Sequence, residues 1–256
     1  MTRIGKLFEQ KKQGIVSVYC TAGYPLLDST REVMQALQDG GADMMELGMP
    51  YSDPLADGPV IQASSSRSLA NGMGLPTLFK QLKGFRDQIR MPVILMGYLN
   101  PILQYGMERF CRDAADSGVD GLILPDLPIF EYETMYGSLI RAQGLDFIFL
   151  VTPETPDDRI RKLDSLSNGF LYAVSSSSTT GREKDMSAQA SYFERLRALC
   201  LKNPVLVGFG IRDRDSARQA QAGSNGIIIG TAFVQALGQD GDIRELTQRF
   251  LKPFIS

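Results

Sequence analysis

Asp43-Met-Met-Glu-Leu47 is a short apolar run with one acid in it. It opens at once into Gly48-Met-Pro-Tyr-Ser-Asp-Pro-Leu-Ala-Asp57-Gly-Pro59, rich in Pro and Gly. Such a pattern reads as a strand that delivers a loop. Similar runs recur on both sides, at 15–20, 92–96, 121–124, 147–151, 170–174, 205–207 and 227–229. Helical spacing fills the gaps. Met107, Phe110, Cys111 and Ala114 fall at i, i+3, i+4 and i+7, and Phe193, Leu196 and Cys200 form a similar stripe. Eight strand–helix units in 256 residues predict a closed α/β barrel, the (β/α)8 TIM barrel, as a single domain over 1–256. An extra N-terminal helix and a short phosphate-binding helix after the eighth run complete the expectation. The competing open, doubly wound sheet usually begins with a Gly-rich turn after its first strand. Here that position reads Thr21-Ala-Gly-Tyr-Pro25, which is no dinucleotide fingerprint.

The charges are balanced, 27 basic against 29 acidic, and nothing in that balance attracts nucleic acid or an anionic membrane. Cys20, Cys111 and Cys200 lie too far apart for a metal cluster and are odd in number for a disulfide framework. The N-terminus lacks a signal-peptide core, and no apolar run reaches the roughly 18 residues of a membrane span, so a cytoplasmic protein is expected. There is no histidine. That excludes the usual histidine zinc site and histidine acid–base pairs, and leaves carboxylates, tyrosine, backbone amides or lysine as catalysts.

Period-two alternation puts Met44 and Glu46 on one face of the second run. If that face points into the barrel, Glu46 is a carboxyl in an apolar lumen, with a raised pKa suited to proton transfer. A structural glutamate bound to loop amides is the alternative. Asp53 and Asp57, four apart in the long insertion 51–74, read on spacing alone as turn-capping residues. Late in the chain, Val207-Gly-Phe-Gly-Ile211 and Ile229-Gly-Thr-Ala-Phe233 end the seventh and eighth runs in glycine. The sixth run leads into Ser175-Ser-Ser-Ser-Thr-Thr-Gly181-Arg182. Glycines at these ends let backbone N–H groups approach a phosphate, which is where barrels commonly bind one. No lysine falls at the end of a run, so a Schiff-base aldolase is not indicated.

The stretch from Glu46 through Asp57 to Gln62 closely resembles the signature of tryptophan synthase alpha subunits. Leu95-Met-Gly-Tyr-Leu-Asn-Pro-Ile-Leu-Gln-Tyr-Gly106, Leu124-Pro-Asp-Leu-Pro128 and Gly208-Phe-Gly-Ile211 support it, and the similarity runs from about residue 5 to the last helix. The resemblance implies a carbon–carbon lyase of tryptophan biosynthesis, splitting indole-3-glycerol phosphate into indole and glyceraldehyde 3-phosphate. It implies Glu46 as general acid/base, Asp57 at the indole N–H, and Tyr172 lining the site. Phosphate binding maps to Gly181, Phe209, Gly210 and Gly230, with Thr231 where many members have Ser. No metal and no cofactor are implied, because pyridoxal phosphate belongs to the beta subunit, the partner in an alpha2beta2 heterotetramer. The loop after the sixth run departs from the common Ser-x-x-Gly-Val-Thr-Gly form but keeps Thr180-Gly181. Another phosphosugar barrel enzyme, a stand-alone lyase, and a subunit kept mainly for allosteric binding are the rival readings.

Overall fold

Strand β1 (Ile15–Thr21) shows how the wall is built. Val16, Val18 and Cys20 pack outward into a large apolar shell under the helices, while Ile15 and Tyr19 join a second cluster inside the wall. Alternation of that kind, repeated strand after strand, makes two concentric cores from one sheet. The structure is a computed structural model that describes residues 2–174, 186–208 and 210–255, with backbone alone for 186–190.

The remaining strands are β2 (Met44–Gly48), β3 (Val93–Met96), β4 (Gly121–Ile123), β5 (Asp146–Phe147), β6 (Leu150–Val151), β7 (Leu171–Val174), β8 (Val205–Gly208) and β9 (Gly226–Ile229). Every pair is parallel, in the order β5-β4-β3-β2-β1-β9-β8-β7-β6. The two ends of that order are the halves of one segment. Ile148 N–H donates to Leu122 on the β4 side (3.0 Å), and Phe149 C=O accepts from Tyr172 on the β7 side (3.0 Å). The chain therefore changes partners between 148 and 149, and the sheet closes as an eight-stranded barrel. The fifth run, expected to be one strand over 147–151, is split for this reason. Ser167 serves the backbone at the split: its hydroxyl accepts from Phe149 N–H (3.4 Å) and lies within donating distance of Phe147 C=O (3.0 Å) and Phe170 C=O (2.8 Å).

The N-terminal rim is sealed by a repeated device. Asp43, Asp120 and Asn225, each just before a strand, accept an N–H at the start of the preceding strand, from Val16, Val93 and Val205, each at 2.8 Å. The helix Arg3–Gln10, capped by Thr2 at Gly5 N–H, plugs the same end. Ile4 and Phe8 enter the lumen cluster, and Arg3 reaches Asp120 at 3.0 Å.

Two further expectations need correction. The stripe Phe193–Leu196–Cys200 does not hold: the helix Met186–Ala198 ends first, and Cys200 turns to φ 50° and is exposed. Leu199 is buried instead. The insertion 51–74 is not loop throughout, because Pro59–Ala70 is a helix. Its Ser-rich sequence disguises it, yet Ser64, Ser65 and Ser68 are buried. Ser64 donates to Ile61 C=O and Ser68 to Ala22 C=O, so these hydroxyls replace an apolar face with a bonded one. No described helix is long and apolar enough to cross a membrane.

Packing at the plugged end leaves no room at Gly226, where an added Cβ would run into the Ile15 backbone carbonyl. Gly226→Ala is expected to lower the free energy of unfolding by about 1–3 kcal/mol through overpacking, read as an earlier midpoint in urea.

Candidate active site

Because all strands are parallel, their C-terminal ends share one mouth. Glu46, on β2, points into the lumen below that mouth and is 0% exposed. Ser17 Oγ on β1 donates to its Oε1 at 3.1 Å, and Oε2 has no hydrogen-bond partner. Burial among apolar side chains pushes the Glu46 carboxyl up to about 8, with the Ser17 hydrogen bond acting weakly the other way.

The backbone from Gly48 to Gly58 brings Asp57 back over this floor. A turn closed by Asp57 N–H on Pro54 C=O (3.0 Å) and by Gln62 Nε2 on Asp57 C=O (2.9 Å) fixes its approach. Tyr98, just past β3, donates its hydroxyl to Asp57 Oδ2 (3.0 Å) and accepts from Ala56 N–H (3.0 Å). Partial burial raises the Asp57 carboxyl to about 6, opposed by the Tyr98 hydrogen bond. Asp53, by contrast, is exposed, with its carboxylate on the neighbouring Ser52 hydroxyl, as a turn residue would be.

Tyr172 on β7 is buried, and its phenol is held well above the ordinary tyrosine range by burial first, then by the charges of Glu46 and Asp57 and by Tyr19. These groups therefore face one space. Two glycines make that space possible. A Cβ at Gly48 would collide with the Tyr19 phenol, and one at Gly208 with the Tyr172 phenol. Each tyrosine leans over the glycine of the next strand, two positions beyond its own register partner: Tyr19 pairs with Glu46, and Tyr172 with Leu206.

Beyond the mouth, β9 runs directly into the helix Thr231–Leu237, with Gly230 as its N-cap. The first intrahelical bonds are those of Phe233 and Val234 to Gly230 C=O, so the amides of Thr231 and Ala232 have no intrahelical acceptor. Gly210 turns at φ 76° after β8. Gly181 and Phe209, expected at the phosphate, lie outside the described residues, as does most of the loop that follows β7. Among the described residues no cluster of acidic or thiol side chains could hold a metal ion.

A family model described as tryptophan synthase alpha chain matches residues 5–252. The chain belongs to the tryptophan synthase alpha chain family. It is 48% identical over 253 residues to the tryptophan synthase alpha chain of Parabacteroides distasonis, covering 98% of each chain. It is 48% identical over 242 residues to that of Flavobacterium johnsoniae, covering 94% and 95%. Among solved structures it is similar to tryptophan synthase subunit alpha from Legionella pneumophila (TM-score 0.89, 35% identity, 99% and 97% covered). It is also similar to tryptophan synthase from M. tuberculosis in its aminoacrylate-bound form (TM-score 0.87, 30% identity, 100% and 98% covered). The tryptophan synthase alpha chain is a lyase acting on indole-3-glycerol phosphate, and pyridoxal phosphate belongs to its beta partner.

Within this member of the tryptophan synthase alpha chain family, three polar side chains of the lumen and its mouth were not singled out by the sequence. Ser17 and Tyr19 lie on the inward face of β1, a face that alternation from Ile15 would have picked out. Tyr98 stands inside the quoted stretch 95–106, but nothing in its spacing ties it to Asp57.

Glu46 also affects stability. Its carboxyl holds a proton up to about 8 in the folded chain, against the ordinary glutamate value of 4.5 when unfolded. Between those values the folded state binds more protons than the unfolded one, so Glu46 costs stability as pH rises through that window. Glu46→Gln is expected to gain about 1–3 kcal/mol over the unsubstituted chain at about pH 9, and to show no gain at about pH 4. Urea unfolding at the two pH values measures both.

Proposed function

We propose that the mouth of this barrel carries out the alpha reaction with Glu46 as acid and base and Asp57 as the group at the indole nitrogen. The observation that carries this reading is geometric: Glu46 is buried in the lumen with Oε2 unpartnered, and Asp57 is held over the same floor by the Tyr98 hydroxyl. Glu46, near 8, keeps its proton at neutral pH, and Asp57, near 6, gives its proton up. Paired carboxyls pushed apart in this way take opposite roles in acid–base chemistry.

The retro-aldol step uses both. Glu46 donates a proton to indole C3, and the ring becomes cationic with its N–H still in place. Asp57, ionised, accepts that N–H and stabilises the positive charge. The carboxylate of Glu46 then takes the proton of the side-chain hydroxyl next to C3. A carbonyl forms, the bond from C3 to the side chain breaks, and its electron pair restores the indole ring. Indole and glyceraldehyde 3-phosphate leave, and Glu46 has its proton back. Tyr172 and Tyr19 wall the ring. The phosphate is proposed to lie at Gly210, Gly230 and Thr231, with Gly181 and Phe209 alongside. The amides of Thr231 and Ala232, which have no intrahelical acceptor, support this, and holding a group that does not react serves orientation.

The reading extends to a single-domain cytoplasmic protein, since its substrate is a phosphorylated intermediate and its three cysteines are free thiols. It extends also to an alpha2beta2 assembly. Leu55 (89% exposed), Leu103 and Phe130 (71% exposed) are large apolar side chains in the segments that follow β2, β3 and β4. Those strands are neighbours, so the three side chains lie along one arc of the mouth. An exposed apolar arc suits a protein partner.

Two measurements test the proposal. Turnover requires ionised Asp57 and protonated Glu46, so kcat for indole release should fall below about pH 6 and above about pH 8. Glu46→Gln and Asp57→Asn should each lose about 10²–10⁴ in kcat with little change in binding of a substrate analogue. Turnover retained in Glu46→Gln would refute the assignment. For the partner, Phe130→Glu should weaken association with the beta subunit in sedimentation while leaving indole release by the isolated chain unchanged. Undiminished association would move the interface elsewhere.

A further inference from the structure

Inward positions of barrel strands are usually filled by bulky apolar side chains. Most strands here follow that habit, with Met44, Ile94, Ile123, Leu206 and Ile228. β1 departs from it and carries three hydroxyl-bearing residues at alternate positions, Ser17, Tyr19 and Thr21. Two of them have evident structural uses. Thr21 Oγ1 is 2.6 Å from Ser64 Oγ and ties β1 to the helix that follows Asp57. Tyr19 lines the mouth, with its hydroxyl 3.5 Å from that of Thr21. Ser17 belongs to neither group. It is 0% exposed, and the partner of its hydroxyl is Glu46.

The register shows what this bond does. Ser17 stands opposite Met44, and Glu46 stands opposite Tyr19. To meet Ser17, the Glu46 side chain leans back by one layer, away from the mouth. The bond occupies Oε1 and leaves Oε2 as the unpartnered oxygen. A hydroxyl buried in so apolar a lumen is costly unless it is bonded. The same holds for a carboxylate, so the two groups stabilise each other most when Glu46 is ionised.

We infer that Ser17 is a positioning residue for Glu46, whose hydroxyl holds Oε1 so that Oε2 exchanges the proton with the substrate. The inference deepens the proposed acid–base role of Glu46 and rests on it. In the resting acid the proton is on Oε2. It passes to indole C3, and the charge left on the carboxylate is met by the Ser17 O–H. The side-chain hydroxyl of the substrate returns a proton to the same Oε2 as the carbon–carbon bond breaks. Ser17 donates throughout and exchanges nothing. Its effect is to keep the proton at one place and to stabilise the ionised state that occurs midway.

The test compares Ser17→Ala, which removes the donor, with Ser17→Thr, which keeps it. Both are made in the full chain and checked for folding by thermal unfolding. An infrared titration reads the Glu46 carboxyl directly, its band assigned by its loss in Glu46→Gln, and steady-state indole release gives kcat and KM across pH. Ser17→Ala should raise the carboxyl midpoint by about one pH unit. The alkaline limb of kcat should move up with it, and kcat should fall about tenfold at unchanged KM. Ser17→Thr should restore all three, which a purely structural serine would not require. A carboxyl midpoint unmoved in Ser17→Ala overturns the inference and leaves the role of Glu46 standing. A midpoint that moves while Glu46→Gln retains turnover overturns the acid–base reading, and the catalytic part of the inference with it.

Discussion

Residues 146–151 bond to two strands at once. Their first half pairs with β4 and their second half with β7, so the sheet has no free edge there. Without that exchange the inward faces of β1 and β7 would not look at each other across a lumen, and Tyr172 would not feel the charge of Glu46. Closure has a local cost in the ladder, because a strand that changes partners leaves backbone groups unpaired at the switch. Ser167 and Asn168 meet it from outside the strand: the Ser167 hydroxyl accepts from Phe149 N–H, and Asn168 N–H donates to Phe147 C=O.

Closure also sorts the two ends of the barrel. At the N-terminal end, carboxylates and an amide are spent on strand N–H groups, and the helix Arg3–Gln10 fills the opening. Arg86 and Arg3 both reach Asp120 there, so the carboxylate meets cations as well as the Val93 N–H. At the other end Glu46 and Asp57 take their side-chain hydrogen bonds from neutral hydroxyls, those of Ser17 and Tyr98. Burial raises a carboxyl at the N-terminal end too, that of Asp146 at the start of β5, and there as at Glu46 and Asp57 the cause is desolvation. At the mouth desolvation has weak opposition, because a neutral donor offsets burial less than a guanidinium does.

Much of the wall was legible in the sequence, because it repeats with a fixed period. Eight apolar runs marked the barrel, and alternation from Met44 put Glu46 on the inward face. The quartet Met107, Phe110, Cys111 and Ala114 is the buried face of a helix, as its spacing implies. A further repeat went unread: Gly41-Ala-Asp43, Gly118-Val-Asp120 and Gly223-Ser-Asn225 each precede a strand and supply the rim bonds. Other features were illegible for physical reasons. Helix Pro59–Ala70 buries serines, so no apolar stripe announces it. Cys200 matched a helical stripe, but the chain leaves the helix after Ala198. Tyr98 meets Asp57 only through the fold, across 41 residues.

The difference between the two mouth carboxyls follows from depth and support. Glu46 is on a strand, inside the wall, where water is excluded and its one donor comes from the neighbouring strand. Asp57 is on a turn above the wall, half-buried, and its donor is a tyrosine that also anchors Ala56 N–H. The first environment is fixed by the barrel itself. The second depends on a segment that can shift without disturbing the sheet. Leu55, two residues before Asp57, points its apolar side chain outward. A partner that covers Leu55 would therefore act on the turn that sets the position and solvation of Asp57, while Glu46, held by Ser17 within the wall, would keep its proton affinity. In the proposed reaction, control by the beta subunit would then fall on the group that stabilises the cationic ring, and the proton donor would be left to the barrel.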